Sequence, residues 1–508
     1  MSPTALFSLY DTTNAAEYGR DLVALGWKIL GSAESVAVLQ QQNIPCEDIS
    51  AFTGMTADFG FPPTLHSKIE YALTGDDPAT RIDLVYDIPY PLSVGNDVGG
   101  RVLLALACKG RRLPVMCRED MEKVIAVLQA GGSLPDELRL ALIDKTNAAI
   151  ANHYLDLVIQ SPRQEYLGVT GRYAAPLDNG ENPYQTAELY ASPASDPLAM
   201  ARFRNYSGTK PCFTNLADVD SLLNSLCLAN EAFKVRFGKQ PYLAVASKHG
   251  NVCGMSIQWQ DPYKAIELAL FGNPVAVWGG ELMTNFAIDE NLAELMIGHP
   301  RRKAMLGTAT WMLDVVAAPF YSDAARQRLL KREFRKVLEN PALANPQPLL
   351  SGNSYRFVRG GFIRQSPPWR VLKLDEAEII PPELTPASVE TLILAWAAAF
   401  SSFHGGNEVA IAKDGMLLSV GGGPATVQAT QVAVERAHQA GHDTHGSVFC
   451  ADAYFPFTDG PDTLIEAGVS LGCVPAGGKT EPQVRDDFAN HNVQMVYLPE
   501  DFRGFCRH

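Results

Sequence analysis

The sequence is short of positive charge. Its 508 residues carry 42 Lys and Arg against 56 Asp and Glu, a formal net charge of -14 at pH 7. The basic residues are mixed with acidic ones and form no stripe that would follow a phosphate backbone, which excludes nucleic acid as the expected partner. Paired cysteines are lacking too. The nine present, Cys46, Cys108, Cys117, Cys212, Cys227, Cys253, Cys450, Cys473 and Cys506, are odd in number and form neither a CxxC pair nor a dense framework. A reducing cytoplasm suits them. No apolar run approaches the ~18 residues of a membrane span, and the opening MSPTALFSLYD lacks the charged and apolar regions of an export signal. A cytoplasmic protein with no membrane partner is expected. The ten histidines form neither HExxH nor paired Cys/His spacing, so no metal site is expected. There is no repeat of about 20–50 residues and no low-complexity tract.

What the chain does have is enough apolar sequence, 46% hydrophobic with 19% charged, to bury large cores over about two to four domains. In the first 160 residues short apolar runs alternate with amphipathic stretches: ALFSLY (5–10), the helical NAAEYGRDLVALG (14–26), WKIL (27–30) and SVAVLQQQ (35–42). IDLVYDI (82–88), GGRVLLALACKG (99–110), PVMC (114–117) and EDMEKVIAVLQ (119–129) continue the pattern, and a long helix over 136–160 closes it. Such alternation predicts a parallel α/β sheet. Past Ser161 the texture changes to PLDNGENPYQ (176–185), which places a domain boundary near 162–170. Farther on, the apolar strand YLAVAS (242–247) runs into KHGNVCG (248–254), read as a Gly-bearing loop at a strand end, where open α/β sheets put their chemistry. Polar, Pro-rich stretches at 340–353 and 376–387 divide this second region into sub-halves of roughly 163–345 and 346–508.

Several separated segments, in the same order along the chain, resemble the AICAR transformylase/IMP cyclohydrolase family. GENPYQ (180–185) resembles Gly-Glu-Asn-Pro-His-Gln, and SKHGNVCG (247–254) resembles Lys-His-x-Asn-Pro-Cys-Gly. NPVAVWGG (273–280) resembles Asp-Pro-Val-Ser-Ala-Phe-Gly-Gly, and GGFIRQ (360–365) resembles Gly-Gly-Leu-Leu-Val-Gln. ADAYFPFTD (451–459) is similar to Ser-Asp-Ala-Phe-Phe-Pro-Phe-x-Asp, and FRGFCRH (502–508) to an Arg-x-Phe-x-His ending. TLHSK (64–68) and NDVGG (96–100) resemble Thr-Leu-His-Pro-Lys and Ile-Asp-Ile-Gly-Gly. The resemblance implies an α/β fold: a methylglyoxal-synthase-like parallel-sheet domain over 1–162, then an AICAR-transformylase-like region over 163–508 of two cytidine-deaminase-like subdomains. It also implies a homodimer.

The implied reaction moves a formyl group from 10-formyltetrahydrofolate to an amine of a small-molecule acceptor. That needs a base for the amine proton and donors for the tetrahedral oxyanion. The resemblance gives His249 the proton, since imidazole titrates in the useful range, and Lys248 the oxyanion, with Asn407 assisting at the same carbon. By composition alone a Lys beside a His in a loop is an ordinary solvated pair. Aromatic faces with one carboxylate suit a pterin ring. Tyr454, Phe455, Pro456, Phe457 and Asp459 are the implied folate contacts, with Trp278 in place of a family Phe. Read without the resemblance, YFPFTD is a buried aromatic strand ending in an Asp turn. Asn215, Asp314 and Arg503 match positions that hold the ribonucleotide or its amine.

The features that grip the nucleotide phosphate depart together. The Arg-Tyr before Gly-Glu-Asn-Pro is Asp178-Asn179, an anion for a cation. Gly-Ala-Gly-Gln-x-Ser-Arg becomes GGGPATV (421–427), without Gln or Arg. In the first region Ser-Thr-Gly-Gly-Thr-Ala becomes GSAESV (31–36), which puts Glu34 into a phosphate cradle of small residues and backbone N–H groups. Asp97 and Lys109 remain, while His66 and Lys68 read as packing or surface residues. These departures point to an acceptor smaller than AICAR or one without a phosphate, with the first domain read as a structural remnant. The competing readings are the full bifunctional purine enzyme and a non-catalytic binder of folate or nucleotide.

Overall fold

The computed structural model describes residues 2–55, 63–163, 165–192, 196–403 and 406–504, in two units, Met1–Thr170 and Gly171–His508. The terminal segment is described only to Gly504, so Cys506 and the end of the FRGFCRH match lie outside the described residues.

The first unit runs β1 (Thr4–Leu9), α1 (Ala15–Ala24), β2 (Lys28–Gly31), α2 (Ala33–Gln41), β3 (Glu47–Asp48), α3 (Ile49–Thr53), α4 (Ser67–Thr74), β4 (Leu84–Ile88), α5 (Val98–Lys109), β5 (Leu113–Val115), α6 (Arg118–Gln129) and α7 (Asp136–Ile159). Its five strands lie in the order β3-β2-β1-β4-β5, and every pair is parallel. The alternation read from the sequence therefore forms the sheet it predicts. Both faces are covered, Phe7 and Tyr86 packing into one layer and Leu6 and Val85 into the other, as a parallel sheet requires.

The second unit opens with β6 (Arg172–Pro176) and β7 (Glu188–Ala191), an exposed hairpin. There follow β8 (Arg204–Asn205), α8 (Phe213–Phe237), β9 (Tyr242–Lys248), β10 (Asn251–Gln258), α9 (Pro262–Gly272), β11 (Glu281–Thr284), α10 (Glu290–Ile297), α11 (Pro300–Leu306), β12 (Val315–Ala318), α12 (Asp323–Leu329) and β13 (Lys336–Glu339). A second hairpin, β14 (Ser354–Val358) with β15 (Gly361–Gln365), leads to β16 (Glu378–Ile380), α13 (Pro386–Ser401), β17 (Asn407–Lys413), β18 (Met416–Gly423), α14 (Thr426–Gln439), β19 (Val448–Ala451), α15 (Asp459–Glu466), β20 (Leu471–Pro475), α16 (Glu481–Asn490) and β21 (Gln494–Leu498).

Twelve of these strands make one sheet, β16-β21-β20-β19-β17-β18-β10-β9-β11-β12-β13-β8. The order is a duplication. β10-β9-β11-β12-β13 and β18-β17-β19-β20-β21 have the same sequence of neighbours, the first two pairs antiparallel and the last two parallel. Each half ends on a short antiparallel edge strand, β8 or β16, and the halves meet where β10 pairs with β18 at Ser256 and Met416. This repeat is one of topology, which is why no short sequence period announced it.

Alternate residues of the strands serve two helical layers. Val245, Met283, Ala410 and Val496 face α8 and α13, while Ala244, Leu282, Val409 and Met495 face the helices of the other side. In α13 every residue from Thr391 to Ala399 is buried, the mark of a helix without a solvent face. It packs against α8, and Ser225 and Ser401 satisfy each other there at 2.6 Å.

Candidate functional site

Lys248 is the last residue of a strand and His249 the first of a tight turn, not members of a longer loop. β9 runs through Lys248 and β10 begins at Asn251, leaving only His249 and Gly250 as the turn of a hairpin. Both have positive φ, 54° and 74°, as a two-residue turn of the primed kind demands. Gly takes that conformation freely, and His is among the side chains that tolerate it. The turn is held from below by α8. Asp218 accepts from His249 N at 3.0 Å and from Gly250 N, while Ser221 Oγ donates to the Gly250 carbonyl at 2.7 Å. His249 is thereby presented to solvent on a pinned backbone.

Lys248 alternates to the opposite face of the sheet. Its Nζ donates to the carbonyl of Trp278, in the segment before β11, close to Gly279. Trp278 is 40% exposed, with the Arg302 guanidinium 5.2 Å from its ring centroid. Asp314, just before β12, is half-buried. Burial pushes its carboxyl above the ordinary range, and Lys336, Lys248 and Arg335 pull it back. So Lys248, His249, Trp278 and Asp314 share one edge of the sheet, called the upper edge. A pocket of about 170 Å³ opens beside Lys248 and includes Asn251, Cys253 and Arg436. Burial pushes Cys253 up to about 12, so its thiol is no nucleophile at neutral pH. A cleft of about 1160 Å³ lies elsewhere, between α8 and the β14–β15 hairpin. It contains none of the expected catalytic side chains, so volume alone does not mark the site.

Asn215 is not placed for a ligand. It is 5% exposed at the start of α8, where Oδ1 caps Cys212 N at 3.2 Å and Nδ2 reaches Glu281 Oε1 at 3.3 Å. Asn407 stands on the upper edge at the start of β17, three strand intervals from β9, roughly 14 Å across the sheet. Its Nδ2 donates to Gly423 O at 3.0 Å and its Oδ1 accepts from Thr426 Oγ1 at 3.3 Å, so the amide serves β18 and α14 first.

YFPFTD follows β19 on the same edge, about 19 Å from β9 by strand count. Phe455 is 2% exposed and packs with Phe449 and Phe488 in the core, so it presents no face to a ligand. Phe457 is 63% exposed, and Pro456 and Asp459 are exposed beside it. Asp459 opens α15 and caps Gly460 N at 2.9 Å. The Tyr454 ring rests on Gly477 and Gly478 and carries the Arg503 guanidinium at 5.4 Å. Arg503 also pairs with Glu500 at 3.4 Å. The expected residues thus form two groups at one edge, the turn with Asp314 and Trp278, and the strip Tyr454–Asp459 with Arg503.

Sequence reading missed Asp218 and Glu281. Asp218 is one helical turn beyond Asn215, a spacing that puts both on one face of α8. Glu281, 2% exposed at the start of β11, stands before an apolar run and looks like a strand end. Burial, with Asp218 adding to the effect, pushes its carboxyl up to about 10.

In the first unit Asp97 caps α5, accepting from Gly100 N at 2.8 Å and Tyr90 N at 3.1 Å. Lys109 pairs with Glu70 at 3.2 Å, and His66 Nδ1 caps α4 at Lys68 N, 3.1 Å. These polar groups serve helix ends and the surface. Glu34 is exposed in the first turn of α2, where it opposes any phosphate approaching that helix N-terminus. Among the described residues no helix is long and apolar enough to cross a membrane.

The sequence model of the AICARFT/IMPCHase bienzyme family matches residues 112–436. The bifunctional purine biosynthesis protein PurH of Persephonella marina is 26% identical over 538 aligned positions, covering 98% of each chain. The crystal structure of ForH is 24% identical over 31% of this chain and 97% of its own, with a TM-score of 0.28.

Proposed function

Because the chain belongs to the AICARFT/IMPCHase bienzyme family, we propose that it moves a formyl group from 10-formyltetrahydrofolate to an amine of a small acceptor. The observation that carries this reading is the pinned hairpin turn, which exposes His249 on a rigid backbone with the Lys248 ammonium one residue away. The acceptor amine attacks the formyl carbon and the carbonyl electron pair moves onto oxygen, where Lys248 stabilises it. His249 takes the amine proton and returns it to the folate nitrogen as the old C–N bond breaks. Tetrahydrofolate and the N-formyl product leave. Asn407 assists at the same carbon with the second N–H of its amide, the first being held by Gly423.

Tyr454, Pro456, Phe457 and Asp459 are read as the strip that faces the pterin, without Phe455. Asp314 and Arg503 are read as contacts to the acceptor, without Asn215. The separation of strip and turn within one chain supports a working site formed between two copies, a homodimer. Residues 1–162 are read as a methylglyoxal-synthase-like domain without cyclohydrolase activity. Residues 163–508 are read as the transformylase-like region, in sub-halves of about 163–345 and 346–508. The duplicated strand order supports two cytidine-deaminase-like subdomains.

The acceptor is read as an amine without a phosphate, because Asp178 is exposed where a cation would be needed and Glu34 stands at the other phosphate cradle. A second reading, the complete bifunctional enzyme acting on AICAR, is favoured by the end-to-end match to a relative named for both activities. Release of tetrahydrofolate with AICAR as acceptor, and conversion of formyl-AICAR to IMP, are measured on the purified chain. Turnover with another amine and none with AICAR supports the first reading; both AICAR reactions support the second. No transfer to any amine removes both.

A further inference from the structure

Beneath the His249–Gly250 turn three buried side chains form a chain of contacts that the transfer chemistry leaves unused. Asn215 Nδ2 reaches Glu281 Oε1 at 3.3 Å, Glu281 lies beside Asp218, and Asp218 holds both amides of the turn. Glu281 Oε2 is sealed from solvent without a donor, and its neighbour Asp218 is an acceptor already engaged by two N–H groups. Two carboxyl groups meeting in this way repel unless one carries a proton. Ser247, directly across the β9–β11 pair from Glu281, also has a sealed hydroxyl without a partner.

We propose that Glu281 is a positioning residue: through Asp218 it fixes the His249–Gly250 turn and so aims His249, without touching substrate itself. The role rests on the formyl-transfer reading for its purpose, though the contact chain stands without it. A protonated Glu281 donates from Oε2 to Asp218, which goes on accepting from the two turn amides. The surroundings favour this state. Glu281 is faced by Asp218 from α8, by Asp314 from the segment before β12 and by the thiol of Cys253 on β10, while Lys248 of β9 acts on Asp314 and Cys253. Burial and two neighbouring acids push the proton onto Glu281, and Asn215 only partly opposes them.

The test compares Glu281→Gln, which keeps a neutral donor of the same shape, with Glu281→Leu, which keeps the volume and removes the donor. Amide hydrogen exchange of the peptide spanning 247–252 is read by mass spectrometry on the full chain, beside kcat and KM. Glu281→Leu is expected to speed exchange at the turn about tenfold and lower kcat by a similar factor at unchanged KM for the formyl donor, whereas Glu281→Gln restores both to within about threefold of the parent. A third readout is thermal stability against pH. The folded carboxyl titrates near 10 and the unfolded one at its ordinary 4.5, so folding retains a proton between these values and the contribution of Glu281 falls as pH rises through that window. Glu281→Gln removes the dependence, and its melting midpoint gains on the parent as pH increases.

Equal exchange at the turn in parent and Glu281→Leu, with the fold intact by its melt, overturns the proposal. If Glu281→Leu fails to fold, slower turn exchange in Asp218→Asn than in Glu281→Gln overturns it as well. A parent chain that shows the exchange contrast but transfers no formyl group refutes the function and leaves the positioning of the turn standing. Transfer without the contrast does the reverse.

Discussion

At the upper edge of the twelve-stranded sheet Lys248 precedes a turn of His249 and Gly250; at the lower edge, in the equivalent place of the duplicated order, Lys413 precedes a turn of Asp414 and Gly415. The backbones agree, with φ of 51° and 71° in the second turn against 54° and 74° in the first. Each turn is tied to the central helix of its half, α8 by Asp218 and α13 by Thr391 Oγ1, which accepts from Gly415 N at 3.2 Å. Charge is handled differently. Lys413 gives its ammonium to Asp443 at 3.2 Å, and a neutral hydroxyl suffices to hold its turn. Lys248 donates to a backbone carbonyl, and its turn is held by a carboxylate over a second buried acid. Buried acids are costly, and one hydroxyl shows that the turn alone does not require them. What the upper edge adds is a backbone pinned by a carboxylate beneath an exposed imidazole.

That contrast is broken most severely at the imidazole. His249→Ala is expected to lower kcat by about 10²–10⁴, while Asp414→Ala leaves it within about twofold; equal losses in steady-state transfer assays would assign the effect to hairpin geometry. Next come the lysines. Lys248→Ala is expected to cost about 10²–10³ in kcat, and Lys413→Ala to leave kcat unchanged and lower stability only slightly, because it removes an exposed pair. The smallest effects on kcat are at the glycines. Alanine at either position adopts a left-handed conformation costing about 1–2 kcal/mol. At Gly415 the added Cβ also meets Ile257 at 3.2 Å, whereas at Gly250 the nearest contact is Asp218 at 4.0 Å. Denaturant melts should therefore show Gly415→Ala as the less stable variant, and Gly250→Ala as the one that loses turnover.

The sequence made much of the first unit legible, because its parallel strands are buried on both faces and read as apolar runs between amphipathic helices. β3, α3 and α4 escaped notice because they are too short to show a period. In the second unit the Lys-His pair was visible, yet KHGNVCG read as a loop when five of its seven residues are strand. Gly250 and Gly254 suggested a loop. Gly254 instead packs against the backbone of α9 at Ala269, where a side chain has no room. Phe455 and Phe457 are indistinguishable in sequence, and only the packing of Phe449 and Phe488 decides which one is buried. Asp218 and Glu281 come from elements 63 residues apart, so no local pattern could join them.

The short strands at the two ends of the large sheet bear on how copies of this chain can associate. β8 and β16 are two and three residues long, each antiparallel to its neighbour. An edge that brief offers an incoming strand few unpaired amides and carbonyls, so it gives little purchase for lateral growth of the sheet. Self-association by strand addition is thereby discouraged at both ends. Contact through loops, hairpins or helices instead leaves the sheet twelve strands wide.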